Sequence, residues 1–314
     1  MASPDSPNPG TPTPDRPTPA PAAASAPVLV DVDGPIAVLT LNRPAVRNAI
    51  DDATRAALGD ALAELGQAAE VRVVILTGAG SAFCAGGDIQ AMEQRLAAPP
   101  GEVAIRGWQR QHGTYALTAG LHRLDQVTIA AVNGPAAGLG MDLALACDFI
   151  VADPAASFVA SFVLRGLVPD GGSMYHLPRR VGPQRAKELL LSGRRVDATE
   201  ALEIGLIDLL AEPGAVVAHA TEYAARFTER SRAALMLAKS IINRSFESSL
   251  DQIASLGSQA QAICYTTDAH RDSVRSFLDR RALDRRGLDS RGGAAAGGAP
   301  GGSTRPPPVP PTTE

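Results

Sequence analysis

The apolar positions of the chain follow two periods. The run Val71–Leu76, interrupted only by Arg72, and the run Val127–Val132 are too continuous for a half-solvated strand and predict strands buried on both faces. Val28–Val32 and Ile36–Leu41 flank Asp33-Gly34 and predict a two-stranded hairpin. Helical spacing takes over at Ala57, Leu58, Ala61, Leu62 and Leu65, predicting a helix over 51–68 with Asp51 or Asp52 as its cap. A second helical pattern begins near Ile89 and a third runs over 103–124. Asn133-Gly134-Pro135 then breaks the chain, Gly138–Cys147 reads as a short buried helix, and Phe149–Val151 as a strand. Strand-then-helix units recur three times, the pattern of parallel strands joined by crossover helices. From Gly171 onward the pattern is almost wholly helical, over Ala198–Glu203, Val216–Phe227, Ala233–Arg244 and Leu250–Cys264. The fold class expected is an α/β core followed by a helical C-terminal region.

Composition changes this picture at the ends. Residues 1–26 alternate Pro with Ser, Thr, Ala and Asp, and 291–314 are Gly/Ala-rich and then Pro-rich. Neither stretch can bury enough apolar surface to offset chain entropy, so both are expected to be disordered tails. Between them, an α/β core over 27–210 and a helical region over 211–290 are expected. The first tail lacks an apolar stretch and carries acidic residues, unlike a targeting segment. A net charge of −4 gives no reason to expect a nucleic-acid partner, and no apolar run reaches the roughly 18 residues of a membrane span. Cys84, Cys147 and Cys264 are far apart with no C-x-x-C, which fits a reducing cytoplasm without disulfides. The five histidines show no metal-binding spacing, and the serines no G-x-S-x-G elbow, so no metal and no serine nucleophile are expected.

Candidate chemistry lies in two loops of small residues. Thr77–Asp88 links the buried run Val71–Leu76 to a helix start, a setting in which backbone amides and a helix dipole can meet negative charge. Phe83 stands where a G-x-G-x-x-G count needs its last glycine, and no Gly-Lys-Ser/Thr follows, so the phosphate readings fail. Stabilising negative charge on a carbonyl oxygen remains. Asn133–Gly140 repeats the arrangement, and two such loops in consecutive units can aim two amides at one point.

These residues also carry a resemblance. Leu41-Asn42-Arg43-Pro44 with Asn48-Ala49, Thr77-Gly78-Ala79-Gly80 with Phe83–Asp88, Ala131–Gly134, Ala146-Cys147-Asp148 and Gly166–Ser173 resemble, in order and spacing over roughly 28–282, the crotonase (enoyl-CoA hydratase/isomerase) superfamily. The resemblance implies a β-β-α superhelix with a helical trimerisation region, assembled as a homotrimer or a dimer of trimers. It implies an acyl-CoA thioester substrate, with coenzyme A part of the substrate and no separate cofactor. Carried over, the amides of Gly87 and Leu139 polarise the thioester carbonyl. Arg47, Asn48, Ala49, Ala85, Gly86 and Asp88 line the CoA arm, and Lys239 is a candidate for its 3′-phosphate. Leu139 departs from the glycine common there, but only its backbone is needed.

Hydratases of this family use two Glu residues. The corresponding positions here are Asp142 and Phe162, and phenylalanine cannot carry a proton. Asp170 occupies the Pro-Asp/Glu-x-Gly position where double-bond isomerases of the family hold a single acid. The resemblance therefore implies an isomerase, converting 3-enoyl-CoA to 2-enoyl-CoA or acting on a ring-bearing CoA ester. Hydration with Asp142 as the only acid is one alternative, and a non-catalytic acyl-CoA-binding member is another. Each carboxylate also has a structural reading: Asp170 and Asp88 as helix caps, and Asp142 as a first-turn acid set against a helix dipole.

Overall fold

The computed structural model describes residues 26–292, so most of both expected tails lies outside the described residues. Strands β1 (Val28–Asp33) and β2 (Ile36–Leu41) form the expected antiparallel hairpin, with Gly34 at φ 54° in its turn. Next come α1 (Asp52–Gln67), β3 (Val73–Gly78), α2 (Ile89–Leu96), α3 (Pro100–Arg123) and β4 (Val127–Val132). The chain continues through β5 (Pro135–Ala137), α4 (Leu139–Ala146), β6 (Phe149–Ala152) and β7 (Ser157–Val159). Beyond lie α5 (Ser173–Val181), α6 (Pro183–Ser192), β8 (Arg195–Asp197), α7 (Ala198–Glu203), β9 (Leu209–Leu210) and α8 (Val216–Thr228). Helices α9 (Arg232–Ile242), α10 (Leu250–Tyr265) and α11 (Asp268–Gly292) complete the chain.

Six strands form one sheet in the order β1-β2-β3-β4-β6-β9, with β2–β3, β4–β6 and β6–β9 parallel. Every residue of β3 and β4 is buried, which explains their unbroken apolar sequence. A second sheet, β5-β7-β8, was not foreseen. Its strands have three residues each, too few for alternation to register, and the Asn133-Gly134-Pro135 break turns directly into β5. With β8 and β9 present, the chain beyond Gly171 is less purely helical than its pattern suggests.

Helix α1 is capped by the Asp51 carboxylate, which accepts from the Thr54 amide at 2.8 Å. It buries Leu58, Ala61, Leu62 and Leu65, the face expected from their spacing. Two compact units are distinguished. The first runs through Leu124 and resumes over Thr128–Thr228; the second comprises Asp125–Val127 and the chain from Glu229. Within the second unit Lys239 donates from Nζ to the Gln126 carbonyl at 2.7 Å. No described helix is long and apolar enough to cross a membrane.

Candidate active site

The first loop is built by its neighbours. Asn48, buried and left-handed at φ 58°, donates from Nδ2 to the carbonyls of Ala79, Ala82 and Phe83 at 2.9, 2.8 and 3.2 Å. Its Oδ1 accepts from the Arg43 amide at 2.9 Å, so the whole carboxamide is taken up in shaping the chain after β3. The next residues run between two segments. On one side the Ala85 amide donates to Arg47 O at 2.9 Å, and the Ile50 amide to Gly86 O at 2.8 Å. On the other, Cys84 N donates to Pro135 O at 3.2 Å and Ala137 N to Cys84 O at 2.9 Å. Because a trans peptide points its C=O and N–H in opposite directions, Gly86 O on Ile50 turns the Gly87 N–H away from Ile50.

The second loop meets the first at Gly86. A Cβ there would stand 2.6 Å from Ala137 O and 3.4 Å from Leu139 N, and φ is 92°, so glycine is needed both for space and for backbone conformation. Leu139 is the first residue of α4, where amides have no intrahelical partner. Among the described residues neither the Gly87 nor the Leu139 amide donates to a backbone carbonyl. Phe162 lies over the start of this helix, its ring 3.7 Å from where a Gly138 Cβ would be.

Asp142, one turn into α4, is fully buried. Its Oδ1 accepts from the Ser173 amide at 3.1 Å, while Oδ2, packed on the Gly171 backbone, has no hydrogen-bond partner among the described residues. Burial pushes its pKa up to about 7, against the nearby Ser173 hydroxyl and amide, with the charge of Asp170 adding to the rise. Asp170 is half-buried, and burial raises its pKa too, opposed by its own backbone amide and by the Arg110 guanidinium of α3. It does not cap α5: Gly172 is the cap residue, and the carboxylate that meets the first amide of that helix belongs to Asp142.

Two further titratable groups nearby, Cys84 and His176, are held neutral. Burial raises the Cys84 thiol to about 12, keeping it protonated. Burial and the neighbouring His122, Arg180 and Arg179 lower His176 to about 4; its ring packs 4.9 Å from His122 and 5.0 Å from Tyr175, so it is neutral packing. Among the described residues no group of three or more His, Cys, Asp or Glu is placed to hold a metal ion.

The six residues expected along the CoA arm divide. Arg47 and Ala85 are exposed at the mouth of the first loop, whereas Ala49 and Gly86 are buried. Asn48 is occupied as described. Asp88 is a helix cap, accepting from Gln90 N at 3.0 Å and Ala91 N at 3.4 Å, and also pairs with Arg43 at 3.3 Å. Asn48 and Asp88 thus shape the loop with their side chains, which are not left over for a ligand. Three residues given no site role from the sequence also matter: Arg43, which bridges Asp51 at 3.0 Å as well as Asp88; Ser173, through its amide; and Arg110, through its charge. The Ser173 hydrogen bond and the charge of Arg110 act between elements distant in sequence, and no local spacing signals them.

Two unpartnered amides on adjoining loops, with a partly shielded carboxylate in the same unit, define a site suited to a carbonyl whose neighbouring carbon loses a proton. The family model described as enoyl-CoA hydratase/isomerase matches residues 31–286. The short-chain-enoyl-CoA hydratase of Clostridium acetobutylicum is 32% identical over 255 residues, 81% of this chain and 95% of that protein. The 1,2-epoxyphenylacetyl-CoA isomerase of Escherichia coli is 33% identical over 255 residues, 81% of this chain and 96% of that one. The crystal structure of an enoyl-CoA hydratase from Bacillus anthracis superposes with a TM-score of 0.75 at 31% identity, covering 81% of this chain and 96% of that chain. The chain belongs to the enoyl-CoA hydratase/isomerase family, the crotonase fold, and is an acyl-CoA enzyme.

Proposed function

We propose that the protein is a double-bond isomerase of acyl-CoA thioesters, with Asp170 as its single acid/base. The observation that carries this reading is the contrast between the two carboxylates: Asp170 is half-buried beside solvent, whereas Asp142 is fully buried and bonded to Ser173. Phe162 supports it, since a phenyl ring stands where a hydratase of this family has its second carboxylate. The thioester oxygen accepts from the amides of Gly87 and Leu139. Asp170 removes a C2 proton from a 3-enoyl-CoA, the amides hold the resulting dienolate, and Asp170 returns the proton at C4. One base is sufficient because the proton it takes is the proton it gives back. Each amide donor of this kind is worth about 2.7–4 kcal/mol of barrier stabilisation. The CoA arm lies along Arg47 and Ala85, with coenzyme A entering as part of the substrate. A ring-bearing CoA ester, as named for the Escherichia coli relative, is the variant of this chemistry to test alongside linear chains. The assembly proposed is a homotrimer or a dimer of trimers.

Parallel incubation with 3-enoyl-CoA and 2-enoyl-CoA tests the assignment. The expected result is conversion of the 3-enoyl ester to its 2-enoyl isomer. Turnover of the 2-enoyl ester alone, to a 3-hydroxyacyl product, identifies a hydratase instead. Tight CoA-ester binding without turnover of either identifies a binding protein.

A further inference from the structure

We propose that Asp142 is a positioning residue, holding the turn that presents Asp170, and that it carries no proton in the reaction. This reassigns a position at which relatives of the hydratase type hold a catalytic acid, and it rests on the isomerase reading above. Four observations place it in this role. Its Oδ1 accepts the Ser173 amide at 3.1 Å, the first N–H of α5, for which Gly172 supplies no side-chain cap. Its Oδ2 packs on the Gly171 backbone, where any side chain would collide with the carboxylate, so residue 171 must be glycine for the contact to exist. Gly171 directly follows Asp170 and Ser173 comes two residues later, so both contacts hold the chain within three residues of the acid on its C-terminal side. The carboxylate is fully buried, leaving no face for a substrate or an attacking water.

The groups around the pair agree with this division. Facing Asp142 are the Cys84 thiol from the first loop, Ser173 from α5 and Asp170, whose negative charge disfavours a second one nearby. On Asp170 the charge of the Arg110 guanidinium from α3 favours the ionised form, against the burial that raises its pKa. These interactions favour the proton on the fully buried Asp142 over Asp170, the bias a base at residue 170 requires.

Asp142→Asn and Asp142→Ala separate the roles when assayed for kcat, KM and C2 hydrogen exchange on a 3-enoyl-CoA. Asparagine keeps an oxygen for the Ser173 amide and nearly the same volume, so kcat should stay within about tenfold of the parent. Alanine frees the turn and should lower kcat by about 100-fold, with KM little changed, because a misplaced acid loses rate rather than affinity. The acidic limb of the pH profile, set by Asp170, should persist in Asp142→Asn. An asparagine variant as inactive as Asp170→Asn overturns the proposal, as does an alanine variant with parental kcat. If the alanine protein does not fold, the asparagine variant still decides. Failure of the parent enzyme to isomerise or exchange any 3-enoyl-CoA counts instead against the isomerase reading.

Discussion

Among single residues, turnover depends on which acids hold a charge. Asp170 must be ionised to remove a proton, so activity should rise with pH through its pKa. Burial raises that pKa and the charge of Arg110 offsets part of the rise. Replacing Arg110 by Met should therefore move the acidic limb of kcat/KM to higher pH, and an unchanged limb would show that the guanidinium does not act on Asp170. Cys84, with its thiol pushed up to about 12 and fully buried, should resist alkylation in the native protein and react only on unfolding. Rapid modification under native conditions would contradict its placement. The candidacy of Asp170 came from the motif around it. The engagement of Asp142 with Ser173 was not legible in the sequence, because the two are 31 positions apart and only packing brings them together.

At the scale of elements, two glycine-containing loops are held in fixed geometry by a few buried groups. Removing Asn48 strips its donor from three carbonyls, two of them buried, and each unsatisfied acceptor costs about 1–3 kcal/mol. Asn48→Ala should therefore lower the thermal midpoint by several degrees and reduce turnover; a variant with parental stability would remove Asn48 as organiser of the loop. Asp142 makes the joint between α4 and α5 sensitive to pH. Its folded-state pKa is raised from 3.8 to about 7, so between those values the folded protein binds more protons than the unfolded chain. Its stabilising share is fully present below pH 4 and is lost as pH rises through 7. Thermal melts of the parent and of Asp142→Asn across that window should differ in slope, with the variant flatter. The long buried strands and α1 were readable because burial writes itself into unbroken or 3.6-spaced apolar runs. The sheet of β5, β7 and β8 was unreadable because three-residue strands leave no period.

At the scale of the whole molecule, the match over residues 31–286 takes in nearly all of the described chain. In the second unit α9, α10 and α11 leave Ile242, Phe246, Leu250, Ile263, Tyr265 and Phe277 exposed, more apolar surface than a lone helical unit needs. Sedimentation of the full chain should give three times the monomer mass, or a multiple of it; a monomer at micromolar concentration would contradict the proposed assembly. The chemistry of the site is open to test by a single substitution. Asp170→Asn should bind a CoA ester with close to parental affinity by calorimetry yet fail to convert 3-enoyl-CoA to its 2-enoyl isomer. Isomerisation at the parental rate in that variant would contradict the account.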